Sequence, residues 1–187
     1  MALNFDLILE DKYVLLRPVE EKDVFRLLEL ASPRELWNYF TYDLSDSDEF
    51  KKWLQPAIEK QRLQLVLIDK LSGEIVGSSA FGNYSVRDKR IEIGWTWLGK
   101  EYQGQGYNQK MKKLMLEYCF EVLGLERVEF KVDVLNTSAR KGLNNVNAIQ
   151  EGVLRSHTLM TKGRRRDTIF YSILQGEWRF VKRENDW

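Results

Sequence analysis

The stretch with the clearest chemical potential is Gln103-Gly104-Gln105-Gly106-Tyr107-Asn108, set between an aromatic strand pattern and a long amphipathic helix pattern. Glycines at that junction leave main-chain N–H groups bare at the positive end of a helix dipole. That arrangement suits a phosphate. Two common phosphate loops do not fit. No Gly-Lys-Ser/Thr follows at P-loop spacing, and Gln109 stands where the dinucleotide fingerprint needs its third glycine. A tight turn without a ligand is the plain alternative. Arg164 to Arg166, ahead of Asp167, offer either an anion site or a solvated loop. His157 and Cys119 are the only histidine and cysteine, too few for a zinc site. Cys119 falls on an apolar helix face, a core position rather than a nucleophile's.

The elements that must position the glycine turn are readable from periodicity. Tyr13 to Arg17 reads as a strand, and Val24, Leu27 and Leu28 follow at helical spacing until Pro33. A second helix is expected after Ser47 or Asp48 as N-cap, with Pro56 marking a break. Leu65 to Ile68, Ile75 to Phe81 and Arg90 to Leu98 form three strands in succession, which predicts an antiparallel meander. After the glycines, Met111, Leu114, Met115, Tyr118, Cys119, Val122 and Leu123 repeat on one helix face, and Gly124 ends it. Val128, Phe130, Val132 and Val134 then alternate with Glu129, Lys131 and Asp133. Strand, helix and strand make a crossover, so Arg90–Leu98 and Arg127–Leu135 should run parallel. A short helix near Arg140 to Val146 and a strand from Asp167 complete a mixed α/β sheet.

Composition bounds the function. At 187 residues the chain is expected to be one domain spanning 1–187. A formal net charge of +1 gives no field favouring nucleic acid or a membrane surface. With one cysteine there can be no intrachain disulfide, and the N-terminus has acids where a signal peptide wants bases. A cytoplasmic location is the expectation. Six tryptophans and eight tyrosines suit a large core or an aromatic-lined cleft.

The order of elements resembles the GNAT superfamily of acyl-CoA-dependent N-acyltransferases, whose Gln/Arg-x-x-Gly-x-Gly/Ala turn binds the pyrophosphate of coenzyme A. Gln103 and Gly106 match it, and Asn108 stands where Gly or Ala is usual. Asn136, Ala148, Glu151, Gly152, Leu154, Arg155, Asp167, Tyr171 and Ser172 are similar to the branch containing the ribosomal-protein N-terminal acetyltransferases, and the likeness runs from about Leu15 to Trp178. The resemblance implies a mostly antiparallel central sheet whose fourth and fifth strands are parallel and splayed, with helices on both faces. It implies acetyl-CoA as co-substrate, with no metal. The cradle would be Gln103, Gly104, Gln105, Gly106, Tyr107 and Asn108. The pantetheine arm would lie along the backbone of Trp97 and Leu98 and reach Asn136. The acceptor would be a primary amine, either a protein N-terminus or a small molecule, and the assembly a monomer or homodimer.

Acyl transfer to an amine needs a proton acceptor and, for the thiolate, a proton donor. Glu92 is the candidate base, with a solvated strand residue as the alternative. The donors usual in relatives fall at Ala139 and Leu143, which leaves Ser138, one residue out of register, or water. Trp37, Tyr39, Phe40 and Tyr42, with Trp53, flank the implied acceptor groove, and His157 is placed on the substrate side. Loss of the usual donors also keeps open an acyl-CoA-binding module without catalysis.

Overall fold

The computed structural model describes residues 3–187. Eight strands form one sheet in the order β1-β2-β3-β4-β5-β6-β8-β7. They are β1 (Leu9–Glu10), β2 (Val14–Pro18), β3 (Leu63–Asp69), β4 (Ile75–Ser85), β5 (Arg90–Leu98), β6 (Arg127–Asp133), β7 (Ile149–Leu159) and β8 (Arg165–Leu174). The helices are α1 (Val24–Ala31), α2 (Ser47–Ile58), α3 (Tyr107–Glu117), α4 (Thr137–Asn145) and α5 (Trp178–Glu184). The expected meander is β3-β4-β5, and β5 and β6 are the parallel pair. They correspond to the splayed fourth and fifth strands of the expectation, because the two-residue β1 adds one to the count.

Period-2 alternation sends successive side chains to opposite faces, so two apolar layers form. Leu63, Leu65, Ile91, Ile93, Val128 and Phe130 pack with α3, α4 and α5. Val66 and Trp97 pack with α1, α2 and the segment carrying Trp37 and Leu44.

Three local expectations need correction. Asp46, not Ser47 or Asp48, caps α2, its carboxylate accepting from the N–H groups of Asp48 and Glu49. The helix runs through Pro56 to Ile58. The helix after the glycines does not keep one α period to Leu123. A π-turn spans Tyr118–Val122, with Leu123 N–H donating to Tyr118 O at 3.0 Å. The wider turn shifts the phase and swings Val122 out to solvent.

Candidate active site

The site begins where two paired strands part. β5 and β6 are paired at Arg90–Arg127, Ile91–Val128 and Glu92–Glu129 only. Beyond Glu92, β5 stays with β4, while β6 stays with β8 to Asp133. The inner edges of both strands are thereby released from each other. An extended, amide-bearing chain can enter such an opening and pair with the freed backbone.

A bulge shapes one lip of the opening. Between the pairs Ser78–Trp97 and Ala80–Gly94, β5 carries an extra residue, and Trp95 takes φ 51°. The kink lets neighbouring side chains face opposite ways. Trp95 lies against the Arg62 guanidinium on the α1/α2 face, 4.9 Å from ring centroid to Cζ. Thr96 turns to the α3 face, where its hydroxyl meets Ser79 Oγ at 2.7 Å. Trp97 is buried, and its ring packs 5.4 Å from Trp37. Leu98 O accepts from Gln103 Nε2 at 3.3 Å.

Below the opening's mouth, Gly106 is the N-cap of α3 at φ 81°, and no side chain caps the helix. Gly104 has φ 76°. A Cβ at either glycine would meet nothing within 4 Å, so the space before the bare amides is open. An anion fits that space and would complete the uncapped N-terminus. Gln103, Gly104, Gln105 and Gly106 are exposed, while Tyr107 and Asn108 are half-buried. Asn108 Nδ2 lies beside Gly142 of α4, where a Cβ would stand 3.1 Å from it.

Glu92 sits at the apex, on the α1/α2 side, and is buried. Its Oε2 accepts from Lys131 Nζ and Asn83 Nδ2, both at 2.6 Å. Oε1 stays near Gly94, where a Cβ would stand 3.1 Å away. Lys131 lies over the Phe170 ring at 5.3 Å, and His157 packs on that ring at 6.0 Å. His157 Nδ1 also shares a hydrogen bond with Thr168 Oγ1. The predicted substrate-side histidine is thus linked to Glu92 through Phe170 and Lys131.

The aromatic segment divides. Trp37 is closed into the core, its indole N–H donating to Ala31 O at 2.8 Å. Trp53 is also core. Phe40 and Tyr42 are half-buried, and Tyr39 is exposed. Burial pushes the Tyr42 phenol well up, so it is a neutral donor. Desolvation lowers Arg62 to about 10 and also lowers Arg166. Arg166 lies near enough to Asp133 and Glu92 to feel their charges. Arg164 and Arg166 therefore serve the α1/α2 face, where Arg164 pairs with the buried Asp133, while the exposed Arg165 donates to Ser156 of β7.

At the start of α4, Asn136 Oδ1 accepts from Ala139 N–H at 3.0 Å and caps the helix. Ser138 is exposed, whereas Ala139 packs against the core and Leu143 is buried. Sequence reasoning overlooked Lys131, Asn83, Arg62 and Trp95. It also overlooked Lys112, a buried amine on α3. The only signal for Lys112 was its place one turn before Leu116, at the margin of the apolar stripe.

The acetyltransferase (GNAT) domain model matches residues 14–146. The chain belongs to the GNAT acetyltransferase family. It is 27% identical over 175 residues to YdaF of Bacillus subtilis (strain 168), provisionally named a ribosomal N-acetyltransferase, covering 90% of this chain and 94% of that protein. The crystal structure of a GCN5-related N-acetyltransferase from Brucella melitensis superposes with a TM-score of 0.88 at 26% identity, covering 97% of this chain and 85% of that one. Mycobacterium smegmatis RimJ, solved with a CoA-disulfide, shares the fold at a TM-score of 0.74 and 24% identity, over 88% and 83% of the two chains. The GNAT acetyltransferase is thus an enzyme built on a mixed sheet with parallel, splayed β5 and β6.

Proposed function

We propose that this enzyme transfers an acetyl group from acetyl-CoA to a primary amine, by direct attack in a ternary complex within one cytoplasmic domain. The observation that carries the reading is the release of β5 from β6 after Glu92, beside an uncapped, glycine-opened helix N-terminus. The amides of residues 104–109 hold the pyrophosphate, and the freed edges of β5 and β6 hold the pantetheine arm. Asn136 Nδ2 is left to reach that arm, since its Oδ1 is used as a cap. When bound, acetyl-CoA supplies an acyl group activated as a thioester.

The acceptor amine enters from the α1/α2 face. Tyr39, Phe40, Tyr42 and Trp95 wall its path, and His157 borders it beside Phe170. Glu92 takes the amine's proton at Oε1, directly or through one water, because Oε2 is held by Lys131 and Asn83. An N–H of the bulged β5 is the donor for the developing oxyanion. The name of the Bacillus subtilis relative, a ribosomal N-acetyltransferase, favours a protein acceptor, and we take its N-terminus as the amine. Apolar residues at 139 and 143 favour a second reading, a domain that binds acyl-CoA without turnover. Coenzyme A release, measured with acetyl-CoA against a panel of N-terminal peptides and small amines, separates the two. Transfer to at least one amine supports the enzyme; binding with no transfer to any supports the module.

A further inference from the structure

Lys112 is a buried charge on the α3 face that the reading above leaves unused. Its side chain rises from the second turn of α3 to the underside of the opening. Nζ donates to Thr96 Oγ1 of β5 at 3.1 Å and lies 5.2 Å from the ring centroid of Phe130 on β6. Both partners stand beyond Glu92–Glu129, the last pair joining the two strands. The amine therefore spans the two lips on the face opposite Glu92. An ammonium has three protons to donate, and Thr96 takes one. Among the described residues no carboxylate pairs with this buried cation.

We propose that Lys112 is the proton donor to the departing thiolate, filling the role left vacant by Ala139 and Leu143. This rests on the acetyl-CoA reading given above. As the amine nitrogen bonds to the acetyl carbon, the carbon–sulfur bond breaks and its electron pair passes to sulfur. Glu92 receives the proton shed by nitrogen on one face of the sheet. Lys112 gives a proton to sulfur on the other and is left as a neutral amine. Exchange with solvent returns the proton from Glu92 to Lys112, so the cycle balances.

The surroundings suit the task. Burial pushes the Lys112 ammonium down to about 7, so its proton is easily given up near neutrality. Facing it are the Thr96 hydroxyl on β5, which Ser79 of β4 also contacts, and the Phe130 ring on β6. Among the described residues, the one titratable neighbour acting on it is Cys119, about two turns further along. Burial raises that thiol, so it stays neutral.

The test uses bound coenzyme A, whose thiolate absorbs in the ultraviolet. With coenzyme A saturated by protein, the thiol should ionise at least tenfold more readily on the wild type than on Lys112→Met. Turnover should fall by about 10²-fold in Lys112→Met, with the Michaelis constant for acetyl-CoA changed only a few-fold. Lys112→Gln keeps a donor for Thr96 yet cannot protonate sulfur, so it should be as slow as the Met variant. Desulfo-coenzyme A should bind all three equally, which certifies the fold and the cradle. Identical thiol titrations on wild type and Lys112→Met, or full turnover in Lys112→Gln, would overturn the proposal and leave the acetyl-CoA reading standing. Failure of the wild type to bind coenzyme A would overturn both.

Discussion

Lys112→Met also makes a prediction about stability that needs no substrate. Burial pushes the amine down from its ordinary value of 10.5 to about 7 in the fold. Its folded value is depressed, so the wild type is penalised wherever the unfolded chain binds the proton more tightly. The penalty vanishes above the unfolded value, grows as pH falls, and levels off below the folded one. At about 1.36 kcal/mol per pKa unit, it is about 2 kcal/mol near pH 9 and about 5 kcal/mol near pH 6. Methionine has a similar length and no charge, so it escapes this cost; its extra apolar contact and the lost bond to Thr96 add a pH-independent offset. The variant's stability advantage should therefore widen by about 3 kcal/mol between those two conditions. Urea unfolding followed by tryptophan fluorescence at a series of pH values reads this directly. A difference that stays flat with pH would show that Lys112 titrates like a solvated lysine and refute the argument from burial.

Gly106→Val places a β-branched residue at φ 81° and fills the open space before the amides; coenzyme A affinity, measured by calorimetry on folded protein, should fall by about 10- to 100-fold. Glu92→Gln keeps the size of the apex side chain and removes its basicity, so turnover should drop by about 10²-fold while the Michaelis constant for acetyl-CoA holds. Asn136→Ala loses the α4 cap and should cost about 1 kcal/mol of stability in urea melts, whereas Asn136→Asp keeps the cap and should raise only the Michaelis constant for acetyl-CoA. Ser138→Ala should change turnover by no more than a few-fold, since Ser138 faces solvent.

The parts of the fold legible in the sequence are those with one buried face. β6 alternates because Val128, Phe130 and Val132 meet α3 while Glu129 and Lys131 face the other way. β7 was missed because it is an edge strand with almost every residue exposed, and a strand with no buried side has no period to show. The π-turn was hidden because Val122 fits an α repeat that the chain abandons at Tyr118. The glycine turn was readable, since Gly104 and Gly106 stand between two strongly periodic stretches. The surroundings of Glu92 and Lys112 were harder. Glu92 looks like any polar strand residue until Lys131, thirty-nine positions away, closes on it. Lys112 looks like part of a solvated lysine pair until β5 and β6 cover it.

If the opening between β5 and β6 takes the coenzyme, a crystal structure with coenzyme A should show the pyrophosphate on the amides of residues 104–109, the pantetheine arm between Gly94–Trp97 and Phe130–Asp133, and the sulfur between Glu92 and Lys112. Coenzyme A bound elsewhere, or β5 and β6 paired along their whole length with no room for the arm, would contradict that reading.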